Sequence, residues 1–145
     1  MRHTTNSIEE TQKVAEDFVN SLSAYSDRAM VVGLYGNLGA GKTTFTQALA
    51  KCVGVSDNVT SPTFVIEKIY ELTNQKFTHL IHIDAYRLES SEELVRLGWK
   101  EIISDKNNLI LIEWPEKVID IMPEHIKVSL NGLENSNSRE IEIEL

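Results

Sequence analysis

Hydrophobic and polar positions change period several times along the chain, and each change marks an element. Ile8, Ala15, Phe18, Val19 and Leu22 recur at the three-to-four-residue spacing of one helical face, predicting a helix over residues 8–22. Ser7-Ile8-Glu9-Glu10 at its start fits a capping box, the serine oxygen serving a free helix N–H while Glu10 reaches back. The helical period then stops. Ala29-Met30-Val31-Val32-Gly33-Leu34-Tyr35 is an almost unbroken apolar run, the pattern of a parallel strand buried on both faces. Helical spacing returns with Phe45, Ala48, Leu49 and Val53, and Gly54 is a stop signal. Residues 63–72 and 77–84 are β-rich runs joined by Thr73-Asn74-Gln75-Lys76, a link short enough for a hairpin. Ser90-Ser91-Glu92-Glu93 offers an N-cap for a short helix through Leu94, Val95 and Leu97 that Gly98 can end. Leu109-Ile110-Leu111-Ile112-Glu113 is a buried-strand pattern closed by a carboxylate, and Pro115 bars its extension as an inner strand. Residues 125–130 and 139–145 read as two further strands. In the second, Ile141, Ile143 and Leu145 alternate with Glu140, Glu142 and Glu144, giving one buried and one wet face.

The link between the first buried run and the next helix carries the clearest chemistry. Gly36-Asn37-Leu38-Gly39-Ala40-Gly41-Lys42-Thr43 is a complete G-x-x-x-x-G-K-[ST] phosphate-binding loop, set between a strand and a helix as such a loop requires. Its glycines let the backbone curl so that successive N–H groups face the β-phosphate, and the following helix adds the positive end of its dipole. Lys42 can reach the β- and γ-phosphates and the Thr43 hydroxyl can ligate Mg²⁺, with Thr44 continuing the motif. Together with the hairpin, this predicts an α/β fold: a single P-loop NTPase domain over residues 1–145 with a mixed central β-sheet flanked by helices. The chain is long enough for one such core and too short for two.

Charge narrows the partners. Lys and Arg number 14 against 22 Asp and Glu, a net charge of −8, so any nucleic acid is expected to reach this protein through another one. No apolar stretch is as long as a membrane span, and residues 1–6 are polar without a signal-peptide core behind them, which predicts a cytosolic protein. The lone Cys52 reads as a small helix residue. No Asn-Lys-x-Asp guanine-reading motif and no Asp-x-x-Gly switch motif occurs, and Arg2, Arg28, Arg87, Arg96 and Arg139 do not cluster like the lid of a small-molecule kinase. ATP is favoured by elimination.

Hydrolysis needs a second Mg²⁺ anchor and a group that orients water. Asp84 and Glu113 each end a predicted strand, and ligands of open α/β sheets bind beyond the carboxyl ends of their strands. Glu113, after four apolar residues in the manner of a Walker B acid, is assigned to the Mg²⁺ shell through water; the alternative is a strand-end glutamate paired with Lys42. Asp84 is assigned to orienting or activating the water; the alternative is a turn cap. A period of two puts His82 on the same face as Asp84, and with no further ligand at suitable spacing a packed, hydrogen-bonded histidine is favoured over a metal ligand. Thr60-Ser61-Pro62-Thr63 stands where nucleotide switches keep a γ-phosphate-sensing hydroxyl, so Ser61 or Thr63 could serve, though this is also plain turn chemistry. Arg87 could face the γ-phosphate or form a surface ion pair, and Trp114 could shield the site, meet a partner or simply pack.

Four motifs in order, G-N-L-G-A-G-K-T-T from Gly36, T-S-P-T-F from Thr60, H-I-D-A-Y-R from His82 and E-W-P-E from Glu113, resemble the bacterial TsaE family, formerly YjeE, over nearly the whole chain. The resemblance implies a small P-loop ATPase that works with TsaB and TsaD in making N6-threonylcarbamoyladenosine beside the anticodon of tRNAs. In that family the protein does not itself transfer the threonylcarbamoyl group; its ATP hydrolysis serves repeated turnover by the other two. The resemblance further implies that Thr43 and Glu113 hold Mg²⁺, that Asp84 acts in hydrolysis and that Ser61 and Thr63 lie in a switch-like loop. It also implies that Ile8 and Thr11 lie near the adenine.

Overall fold

The buried runs form the middle of a mixed sheet. The computed structural model describes residues 1–37, 41–55, 67–73, 76–132 and 138–144. Strand β2 (Met30–Tyr35) lies between β5 (Asn108–Glu113) and β6 (Ile126–Gly132), parallel to both, and β4 (His79–Asp84) continues the parallel set beyond β5. Antiparallel strands complete the two sides: β3 (Glu67–Glu71) on β4, β7 (Arg139–Glu144) on β6, and β1 (Arg2–Thr5) on β7. Among the described residues the order is β1-β7-β6-β2-β5-β4-β3.

Alternation along the central strands divides the core into two layers. Met30, Val32, Leu34, Leu109, Leu111 and Leu80 face α1 (Ile8–Ser21) and α2 (Lys42–Cys52), which bury Ala15, Phe18, Phe45 and Leu49 against them. Val31, Ile81, Ile83, Ile110 and Ile112 face the other way, under Leu94 of α3 (Ser91–Arg96), Trp99 of α4 (Trp99–Ser104) and Val118 of a 3₁₀-helix (Pro115–Ile121). Both faces of β2 and β5 are therefore covered, which is why these strands are apolar without interruption.

Local signals in the sequence act as expected at several ends. Ser7 accepts from the Glu10 N–H at 3.1 Å, and the Glu10 carboxylate accepts from the Asn6 N–H. At the end of α2, Gly54 N–H donates to Lys51 O and Val55 N–H to Ala50 O, the paired bonds of a Schellman motif. Ser90 and Glu93 form a reciprocal capping box on α3, and Gly98 ends that helix. In β7, Ile141 and Ile143 are buried while Glu144 is exposed; Leu145 lies outside the described residues.

Three elements carry no strong signal in the sequence. The polar start of the chain forms β1, an edge strand held by register with β7. Gly98 also caps α4, so a second short helix follows α3 across the break. After Glu113 the chain turns at Trp114, whose φ of 60° is left-handed, and enters the 3₁₀-helix with Pro115 in its first turn. Pro115 and His125 press on β2 at Gly33, where an added Cβ would meet their side chains at 3.2 and 3.0 Å.

Candidate functional site

Strand register brings the two carboxylates to one place. Asp84 of β4 stands opposite Glu113 of β5 at the carboxyl ends of these strands. Both lie on the α2 side, since Leu80 and Leu109, an even number of residues earlier in each strand, belong to the core under α1 and α2. The start of α2 comes to the same end of the sheet, because only six residues separate it from the carboxyl end of β2. Gly41 is its N-cap at φ 99°, a conformation that strains any residue with a Cβ. Leu38, Gly39 and Ala40 of the phosphate-binding motif, and Ser61 and Thr63 of the expected switch loop, lie outside the described residues.

Lys42, the first residue of α2, is 6% exposed, and among the described residues its Nζ makes no hydrogen bond. It does not pair with Glu113; the ammonium sits 3.5 Å from the centroid of the Trp114 ring. Trp114 in turn packs on Tyr86 at 5.0 Å and is half-buried beside the lysine. Burial lowers the Lys42 pKa against the opposing pull of Glu113, Glu116 and Asp84. A buried cation on an aromatic face, with its hydrogen-bonding capacity unspent, is matched to an arriving anion.

Glu113 is 4% exposed and accepts a 2.8 Å hydrogen bond from Nε2 of His82, itself 1% exposed. The packed, hydrogen-bonded reading of His82 is the one observed. Asp84 is more open; its Oδ1 accepts from the Tyr86 N–H at 3.0 Å, so it caps a turn whatever else it does. Burial raises the Asp84 pKa, the Tyr86 hydrogen bond opposes this, and the negative charge of Glu113 adds to the rise. Among the described residues no group of three or more His, Cys, Asp and Glu side chains could hold a metal by itself. Mg²⁺ at a phosphate site needs only one or two protein ligands, with water and phosphate oxygens completing the octahedron. Asp84, Glu113 and the unspent cation of Lys42 fit a metal–phosphate pair of that kind.

Beside this centre a cleft of about 510 Å³ opens between the starts of α1 and α2. Ile8 and Thr11 line it together with Gly41 and Thr44, so residues far apart in sequence share one cavity with the start of α2. Thr11 is fixed there: its hydroxyl hydrogen-bonds Thr5 Oγ1 at 3.0 Å and the Ser7 carbonyl. Asn6, Ser7, Leu130 and Arg139 also line the cleft and were not among the site residues expected from the sequence. Arg139 lies over Gly41, its Nε 3.4 Å from where a Cβ would stand. The pairing of β7 with β6 and β1 brings Arg139 there, and that pairing is not readable locally. Arg87 is exposed. Arg96 pairs with Glu92 at 3.5 Å, and the helix break at Gly98 separates it from Lys100, so the two form no joint basic patch on one helix. No helix among the described residues is long and apolar enough to cross a membrane.

Comparison with known proteins agrees with this architecture. The family profile described as "Threonylcarbamoyl adenosine biosynthesis protein TsaE" matches residues 5–141. The tRNA threonylcarbamoyladenosine biosynthesis protein TsaE of Rickettsia conorii is 41% identical over 136 residues, covering 92% of this chain and 73% of that protein. Its namesake from Haemophilus influenzae is 34% identical over 121 residues, covering 83% and 74%. Among solved structures, Bacillus subtilis YdiB superposes with a TM-score of 0.74 at 29% identity, over 97% of this chain and 82% of that one.

Proposed function

This chain belongs to the TsaE family, and from that premise we propose that it is the ATP-binding and ATP-hydrolysing subunit of tRNA threonylcarbamoyladenosine biosynthesis. It works in the cytosol as one P-loop ATPase domain with TsaB and TsaD, reaches tRNA only through them, and does not itself transfer the threonylcarbamoyl group. The observation that carries the reading is Lys42: an ammonium 6% exposed, without a hydrogen-bonding anion among the described residues, at the start of a helix beside a cleft large enough for a nucleotide.

In this reading Ile8 and Thr11 border the adenine, with Arg139 over the cleft. The backbone N–H groups of residues 36–41 and the start of α2 hold the phosphates, and Lys42 leaves the Trp114 ring for the β- and γ-phosphate oxygens. Thr43 and Glu113 would hold Mg²⁺, the latter through water, and the ion would supply charge neutralisation on the phosphate oxygens. Asp84 accepts a hydrogen bond from the attacking water, and its raised pKa suits a group that takes up a proton as that water adds to phosphorus. The bond from the γ-phosphorus to the bridging oxygen breaks, giving ADP and phosphate. Ser61 and Thr63 respond to the γ-phosphate.

The test is ATP turnover by the purified protein, alone and with its cognate TsaB and TsaD. A weak basal rate that rises on assembly is expected. Full turnover without either partner, dependent on one added metabolite, would instead make the protein a free-standing kinase.

A further inference from the structure

We infer that His82 is a positioning residue for Glu113: its imidazole ties down one carboxylate oxygen and so fixes the direction in which the other faces the Mg²⁺ water shell. The inference rests on the assignment of Glu113 to Mg²⁺ given above. In the parallel register His82 stands opposite Leu111 and Asp84 opposite Glu113, so His82 lies one pleat behind the carboxylates on their own face. From there its Nε2 reaches Glu113 Oε2 at 2.8 Å. A carboxylate only accepts, so Nε2 is the donor.

Two further observations separate this role from packing. Lys42, the other candidate to orient Glu113, is turned onto Trp114 and makes no ion pair among the described residues, leaving His82 as the group that holds the carboxylate. The second is a cost. His82 Nδ1 is buried with no hydrogen-bond partner among the described residues, a penalty that leucine or phenylalanine in the same place would avoid. What the imidazole adds over an apolar residue is the Nε2–H. Partners of this kind behind a metal-binding carboxylate set its orientation and hence the strength of metal binding.

The test is binding of a fluorescent ATP analogue across a Mg²⁺ titration and in EDTA. His82→Leu should raise the Mg²⁺ concentration for half-maximal binding by about 10–100-fold while leaving metal-free affinity unchanged. His82→Gln, whose amide N–H reaches the Nε2 position, should restore the Mg²⁺ response, and His82→Asn, whose N–H stops short, should not. In a Glu113→Gln background, His82→Leu should add no further loss. A parental Mg²⁺ response in His82→Leu would overturn the inference, as would equal loss of metal-free and Mg²⁺-dependent affinity. If His82→Leu fails to fold, identical behaviour of the Gln and Asn variants overturns it. Absence of any Mg²⁺ effect in the parent, or in Glu113→Gln relative to it, would instead remove the Glu113 assignment itself.

Discussion

At the scale of single residues, the buried charge of Lys42 is an electrostatic cost built into the site. Lys42 keeps a charge in a buried place, and the contact with Trp114 returns only about 0.5–2 kcal/mol. Lys42→Met retains the length and the ring contact without the charge. It should abolish nucleotide binding while stabilising the protein without added nucleotide by about 1 kcal/mol, roughly 2–4 °C in Tm. A melting curve and an ATP-analogue titration on the same sample check both halves; loss of stability would mean that the ammonium is satisfied where it stands. The two carboxylates should fail differently. Glu113→Ala is expected to weaken Mg²⁺-dependent nucleotide binding, and Asp84→Ala to leave binding nearly intact while slowing hydrolysis, so equal loss of binding in both would sink the division of roles. Asp84 also sets a pH dependence. Its folded pKa is raised, so its contribution to stability is fully present below the unfolded value and is lost as pH rises through the folded one. Asp84→Asn can keep the bond from Tyr86 N–H yet cannot ionise. Its urea midpoint relative to the parent should therefore be higher at about pH 7 than at about pH 4.

Among the elements, the 3₁₀-helix packs closely on β2 at Gly33. Gly33 lets Pro115 and His125 approach the strand, and His125 is clamped by Tyr35 Oη at 2.7 Å and by the Pro123 carbonyl at 2.8 Å. A methyl group at Gly33 has neighbours that cannot give way, so Gly33→Ala should destabilise by about 1–3 kcal/mol, read as a lower urea midpoint. Nucleotide affinity measured on the folded fraction gauges how far the strain reaches the loop after Tyr35. The same joint shows what sequence can and cannot carry. The apolar run of β5 and the alternation of β7 are local and were legible, as were both serine caps and the stops at Gly54 and Gly98. β1 was not, because a short polar strand owes its existence to the edge it meets on β7. Nor was the turn at Trp114, because its left-handed conformation is settled by Lys42, Tyr86 and the helix that follows. In the site, Asp84 and Glu113 could be named from strand ends alone. Their register, the bond from His82 and the arrival of Arg139 over Gly41 are products of strand pairing between distant segments.

For the whole molecule, a net charge of −8 opposes the approach of a polyanion, and several arginines are already engaged with carboxylates. Arg2 pairs with Glu142 and Glu140, Arg28 with Glu124 and Arg96 with Glu92. Affinity for tRNA without sequence preference grows with the number of phosphates neutralised, so the isolated chain should bind tRNA no more tightly than about 10⁻⁴ M near physiological salt. Filter binding at several salt concentrations measures this, and tight, salt-sensitive retention by the chain alone would overturn the partner-mediated reading.

The position of β2 in the sheet has a consequence for how the protein is made. Met30 pairs with Leu109, and Val32 pairs with Ile126, so the strand that leads into the phosphate-binding loop has neither neighbour until the last part of the chain exists. On the ribosome, α1, β2 and α2 emerge early and must wait, with an apolar strand unpaired, while β5 and then β6 are synthesised. The candidate site is thus among the last features to assemble although its glycine-rich motif is among the first to be translated. A nascent chain that stalls before β6 is an aggregation hazard with an unpaired apolar strand, and only the finished sheet brings Lys42, Asp84 and Glu113 to one end.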